Sequence, residues 1–171
     1  MFYLVESRIT LVFLLVMLYT FSKVRFSKKI MAALTVFIFA LTSVMDYFVY
    51  ISDNKLLIIL TVLKAILVFL YCFIVSKYQD FRGAFMAIFA PAVALGGSSI
   101  AILWYNATEA VLASTLILVF VDVVIYGVMF LSTRKYVLKE LEDNDHNWML
   151  LCVLPVIYMV AILLLVLLPD N

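Results

Sequence analysis

The sequence reads as an all-α integral membrane protein, a bundle of six transmembrane helices with its N-terminus outside, in one domain over residues 1–171. Three observations carry that expectation. Hydrophobic residues make up 68% of the chain, aromatic residues 15% and charged residues only 13%, whereas soluble chains run at about 45–50% apolar and about 25% charged. The apolar residues gather into six runs long enough to cross a hydrocarbon core, which takes about 20 helical residues. Basic residues gather in alternate connecting segments, the pattern of cytoplasmic loops.

A water-soluble domain this small keeps much of its surface exposed and could not hide so many apolar side chains. Four glycines and three prolines exclude collagen-like and low-complexity classes, and the long apolar runs exclude disorder. A net charge of +1, from 12 basic and 11 acidic residues, sets up no global field for nucleic acid or anionic substrates. Cys72 and Cys152 lie far apart in apolar stretches, so they are expected as thiols rather than as a disulfide framework.

The first run, near 2–21, starts too close to Met1 for a cleavable signal peptide. It has no basic n-region, and no small-residue cleavage site precedes Phe21-Ser22-Lys23, so it is read as a retained helix. Further spans are expected near 30–51, 56–75, 83–105, 110–132 and 148–168. None alternates polar and apolar residues as barrel strands do, and helices are then the remaining way to satisfy backbone groups in lipid.

Lys23, Arg25, Lys28 and Lys29 follow the first run, Lys77 and Arg82 the third, and Arg134, Lys135 and Lys139 the fifth. The opposite side carries only Lys55. This bias puts loops 22–29, 76–82 and 133–147 in the cytoplasm and leaves short outer turns at Ser52 to Lys55 and Asn106 to Glu109. Pro169-Asp170-Asn171 then falls outside, an ending that reads equally as a whole chain or as a cut before a seventh helix. No repeat relates residues 1–75 to 83–168, so the inverted-repeat signature of many secondary transporters is missing. Thr133 to Asp143 is rich in helix formers and is expected to continue the fifth helix beyond the membrane, as a lever or simply a solvated helix end.

Five ionisable residues fall inside the spans: Glu6, Arg8, Asp46, Lys64 and Asp122. Each is costly in lipid and should face the bundle interior or water. At about 1.5 Å per residue, all five lie in the outer half, from roughly 5–10 Å for Glu6, Arg8 and Asp46 to about 18 Å for Asp122. One reading is a polar cavity open to the outside, with Lys64 facing Asp46 or Asp122 and Glu6 beside Arg8, suited to a small polar or peptide ligand. The other is a set of structural ion pairs and snorkelling side chains. In the fourth run Pro91, Gly96, Gly97, Ser98 and Ser99 are candidates for a local helix break, because proline removes a helix hydrogen bond. The competing reading is close packing through small residues. Pro155 is a kink candidate in the sixth run without polar residues around it, so packing is its default reading.

Catalytic chemistry finds no footing. His146 is the only histidine, so neither a histidine metal cluster nor a Ser-His-Asp triad can be built. Asp143 to Asn147 begins like a calcium loop, but Trp148 stands where the turn glycine belongs. No phosphate-cradling glycine loop and no lipidation motif is present. No enzyme activity, metal or cofactor is expected of these residues, and no nucleic-acid partner.

Two stretches resemble a known family. Ser76-Lys77-Tyr78-Gln79-Asp80-Phe81-Arg82 is similar to a "skyrdfr" segment, and Trp148 through Cys152 and Pro155 to Tyr158 resembles a "W..lc.iP..fY" pattern. Together with the basic first loop they resemble the multi-pass sensor region of Firmicutes histidine kinases of the GHKL-ATPase type, similar to quorum-peptide receptors. The resemblance implies a multi-pass sensor in a bacterial cytoplasmic membrane, a homodimer if it belongs to a kinase, which detects an outside signal and controls a cytoplasmic kinase. The phosphoacceptor helix and ATP-binding domain of that family are missing here. The resulting expectation is a receptor module acting on an output not contained in this chain. The alternative is a small six-span substrate-binding subunit of an uptake transporter, and a third class is a scaffold for other membrane proteins.

Overall fold

A computed structural model of the chain describes residues 2–51, 54–142 and 147–167, with 54–58 and 162–167 described by backbone alone. The described residues are all-helical, in the order α1 (Phe2–Phe21), α2 (Lys28–Ile51), α3 (Asn54–Val75), α4 (Phe81–Thr108), α5 (Val111–Ser132), α6 (Arg134–Glu140), α7 (Trp148–Leu151) and α8 (Val153–Leu167). Among them α1, α2, α4 and α5 are long and apolar enough to cross a membrane, while Ile59–Val75 and Trp148–Ala161 form shorter apolar helices. The bundle exterior carries large exposed apolar side chains such as Val36, Phe37, Leu103, Leu116, Phe120 and Leu131. Water solvates such a surface poorly, and lipid solvates it well.

The longest helix, α4, lies at the centre and packs against α1, α3, α5, α7 and α8. Its buried positions are mostly small, including Gly83, Ala87, Ala90, Ala94, Gly97, Ser98 and Ala101, with Met86 the large exception. Small residues let neighbouring backbones approach, which is how apolar helices gain packing contacts in lipid. The facing residues are large: Leu11, Leu14, Met17, Leu18 and Phe21 from α1, and Val68, Tyr71, Cys72 and Val75 from α3. A second, smaller cluster joins Phe2, Ala101 and Leu118 at the opposite end, where Phe2 stacks on Tyr105 at 4.4 Å.

Both ends of α4 are closed locally. Asp80 is the N-cap, extended at φ −129°, and its side chain accepts from the Arg82 N–H at 2.9 Å. At the far end Glu109 adopts a left-handed φ of 55°, and its N–H donates to the Tyr105 carbonyl at 2.7 Å. The helix runs unbroken between these caps with Pro91 inside it. The local break weighed as a candidate at Pro91 and 96–99 is therefore corrected to a continuous helix, the geometry that the competing packing reading requires. Ser98 and Ser99 turn their hydroxyls back onto the Leu95 carbonyl, at 3.2 and 2.7 Å, so these polar groups are satisfied within the helix.

In the last run, which the sequence reading took as one helix, a single residue stands between two helical pieces. There α7 ends at Leu151 and α8 begins at Val153. Cys152 keeps a helical backbone, its N–H donating to the Trp148 carbonyl at 3.1 Å and the Val156 N–H to the Cys152 carbonyl at 3.3 Å, so the run passes through it and lacks only the bond that Pro155 cannot donate.

One end of the bundle is tied by the segments between helices. The Arg25 N–H donates to the Val75 carbonyl at 2.9 Å and the Lys77 N–H to the Lys23 carbonyl at 2.8 Å, joining segments 22–27 and 76–80. Arg134 Nε donates to the Thr20 carbonyl and Arg82 Nη1 to the Leu141 carbonyl, both at 3.3 Å. Lys23 pairs with Glu142, which raises the ammonium pKa and lowers that of the carboxyl through their mutual hydrogen bond.

Candidate functional site

Away from that tied end, α1, α2 and α3 are joined by charge. Asp46, buried on α2, accepts from Lys64 Nζ of α3 at 2.7 Å through Oδ1. Its Oδ2 forms an ion pair with Arg8 Nη2 at 3.0 Å and accepts from the Ser7 hydroxyl at 2.7 Å, both on α1. Lys64 Nζ donates also to Ser7 Oγ at 2.5 Å, closing a ring of contacts. One carboxylate thus serves two cations and a hydroxyl, a shared arrangement that offsets part of the desolvation cost of each charge. The Arg8 guanidinium lies 5.6 Å from the centre of the Phe39 ring, a further contact to α2.

The cluster is not sealed. The side chains of Arg8 and Lys64 keep 25% and 23% of their exposure, against 8% for Asp46.

The five ionisable residues singled out within the apolar runs fall into distinct settings. Lys64 lies against Asp46, one of the two pairings considered from the sequence. Arg8 is held by Asp46, and Glu6 instead accepts from Thr10 Oγ1 one helical turn along, at 3.1 Å. The expected Glu6–Arg8 pairing is not among the ion pairs of the described residues. Positions 6 and 8 of one helix point to different faces, because neighbours on a helix surface are three or four residues apart.

Asp122 stands apart. It is 3% exposed on α5, and neither carboxylate oxygen has a hydrogen-bond partner among the described residues. Its Oδ1 lies where a β-carbon on Gly97 would fall, so glycine at that position makes room for the carboxylate against the α4 backbone. Gly96 does the same for the Tyr158 hydroxyl of α8, 2.5 Å from the place of an added β-carbon. Both glycines, considered as helix-break residues, act here as packing positions.

Two features escaped the sequence reading. Ser7 joins both charges of the Asp46 pair, and its signal was its place beside Arg8 in an apolar helix. Tyr19, Thr35 and Tyr71 form a hydroxyl cluster between α1, α2 and α3. Tyr19 Oη is 2.5 Å from Tyr71 Oη, Tyr71 Oη is 3.0 Å from Thr35 Oγ1, and Thr35 donates to the Met31 carbonyl at 2.8 Å. No charge marks these positions in the sequence.

Two apolar grooves lie beside these groups. One, of about 380 Å³, runs between α1 and α5 and includes Arg8 and Asp122 in its walls. The other, of about 420 Å³, runs between α1 and α2 past Tyr19 and Thr35. No group of three or more metal-ligating side chains occurs among the described residues. Of the stretch Asp143 to Asn147, rejected as a calcium loop from the sequence, residues 143–146 lie outside the described residues. Compared with known protein families, curated proteins and solved structures, the chain matches none.

Proposed function

We propose that the chain is a membrane-embedded receptor module of six spans with its N-terminus outside. In this reading an external signal acts on the Arg8–Asp46–Lys64 cluster and the response passes to a cytoplasmic output beyond these residues. The observation that supports it is the double engagement of α1. Near its start, Ser7 and Arg8 belong to the charged cluster. At its other end, the Thr20 carbonyl accepts from Arg134 beside α6, and Lys23 pairs with Glu142. Loss or gain of a contact to Asp46 would shift α1 relative to α2 and α3, and a helix is stiff enough to carry that shift to its other end.

The orientation rests on charge. Lys23, Arg25, Lys77 and Arg82 all belong to the end where loops 22–27 and 76–80 meet α6, which matches a cytoplasmic face. The resemblance to GHKL-type kinase sensor regions, a bacterial membrane and a homodimeric state belong to the same proposal.

Lys64→Met is the variant that tests it. Spin labels at Lys28→Cys and Lys139→Cys, in a Cys72→Ser/Cys152→Ser background in proteoliposomes, read the separation of α2 and α6. A shifted distance distribution in Lys64→Met, with normal insertion, supports coupling between the ends. An unchanged distribution counts for the scaffold reading. Labelling of Lys139→Cys only from outside would overturn the orientation.

A second reading, a six-span solute-binding subunit of an uptake transporter, draws on the unpartnered Asp122. Buried intramembrane carboxylates mark substrate and ion pathways as well as receptors.

A further inference from the structure

Buried polar groups are nearly always hydrogen-bonded, and two exceptions in this bundle are complementary. Arg8 Nη1 is a buried donor and the two Asp122 oxygens are buried acceptors, and none of these atoms has a hydrogen-bond partner among the described residues. Arg8 and Asp122 also stand in the walls of one groove, the apolar one of about 380 Å³ between α1 and α5. The rest of its lining, Val12, Val16, Val119 and Val123 among it, carries no charge.

The position that Arg8 occupies is oversupplied. Asp46 already has Lys64 Nζ at 2.7 Å on Oδ1 and the Ser7 hydroxyl at 2.7 Å on Oδ2, and Arg8 adds a single nitrogen at 3.0 Å. Without Arg8 that carboxylate still has a cation and a donor, whereas Asp122 has neither. An arginine side chain has a long rotatable stem, and Arg8 keeps 25% of its exposure, so packing does not lock it. Asp122 is held by space and not by a bond. Its Oδ1 fills the recess that Gly97 leaves against the α4 backbone, and rotation about χ1 carries the carboxylate out of that recess.

We propose that Arg8 is an exchangeable ion-pair partner with two positions, Asp46 on α2 and Asp122 on α5. In the first position Nη2 holds Asp46 and Asp122 lies recessed at Gly97. In the second, Asp122 turns out of the recess and takes the guanidinium through both oxygens, which gives Nη1 its partner and makes the bidentate pairing that arginine favours. Lys64 and Ser7 keep Asp46, so each base then has an acid of its own. The exchange ties α1 to α5 in place of α2. It goes beyond the receptor reading and does not rest on it.

The test uses the whole chain in lipid nanodiscs, isotope-labelled at arginine nitrogen, with the Arg8 side-chain resonance assigned by its loss in Arg8→Lys. Relaxation dispersion and saturation transfer read exchange at that resonance. The native chain is expected to show a second Arg8 state, at about 0.1–10% for a minor conformer. Asp122→Asn, of nearly the same shape, removes that state. Lys64→Met leaves Arg8 as the one cation on Asp46 and lowers the minor population several-fold. Thermal unfolding checks the fold of each variant, and the native measurement needs no variant to fold beyond the one used for assignment. A single Arg8 state in the native chain would overturn the proposal. So would a second state that persists in a folded Asp122→Asn chain. The label distances in Lys64→Met read coupling between the ends of the bundle, and the Arg8 resonance reads exchange, so failure of one proposal is distinguishable from failure of the other.

Discussion

Lys64 Nζ stands 2.7 Å from Asp46 Oδ1, and the same carboxylate holds Arg8 through its other oxygen at 3.0 Å. Asp46 is therefore the hub of the cluster, and the two cations are its dependants. This asymmetry separates the effects of replacing each member.

Asp46→Asn strands two cations together, whereas Lys64→Met leaves Asp46 with Arg8 and Ser7. Removing the shared partner of a buried pair costs about 3–5 kcal/mol, and Lys64→Met is expected to cost about 1–3 kcal/mol, the scale of a lost charged hydrogen bond. Reversible unfolding in bicelles measures both. Equal losses would mean that Asp46 is not the hub.

Asp122→Asn behaves oppositely. The carboxylate has no partner to lose, so neutralising it is expected to leave the thermal midpoint unchanged or raised. A loss as large as that of Asp46→Asn would show that Asp122 is bonded within the bundle.

Gly97→Ala and Gly127→Ala make a matched pair on neighbouring helices. A β-carbon on Gly97 overlaps Asp122 Oδ1, and one on Gly127 meets nothing within 4 Å. Overpacking costs about 1–3 kcal/mol, so Gly97→Ala should destabilise by that order, while Gly127→Ala gains helix propensity of up to about 1 kcal/mol. The same bicelle unfolding assay reads the two signs.

The start of α4 is expected to depend on pH through Asp80. Its hydrogen bond with the Arg82 side chain holds the carboxyl pKa below the usual range. A carboxyl depressed on folding stabilises fully above its unfolded value, near 4, and loses that contribution as pH falls through the lower folded value. Hydrogen exchange at residues 81–84 should therefore gain an opening step only in acid. Asp80→Asn should show no such transition, because an asparagine cap does not titrate.

Much of this molecule was legible in one dimension. Apolar runs interrupted by charge predicted helices whose ends fall within a few residues of the observed ones, because a segment without polar side chains must satisfy its backbone internally. The costly residues Asp46, Lys64 and Asp122 stood out for the same reason. Pro91 and Pro155 show where that reading stopped. Both remove one helix bond, yet α4 is regular through Pro91, while the last run carries one irregular residue, Cys152, ahead of Pro155. Composition cannot tell them apart, since the outcome depends on what packs around each proline.

Composition and charge order determined the helical class, the apolar exterior and the basic end, all of which are properties of single segments. Tertiary structure alone decided that Arg8 turns to Asp46 rather than to Glu6, and that Ser7 joins the cluster. It also left Asp122 alone beside Gly97. The reason is rotational: a helix has one sequence but many possible azimuths about its axis, and packing against its neighbours (α4 for α1, α3 and α5; α1 and α3 for α2) selects which face turns inward. That choice sets every pairing distance in the site.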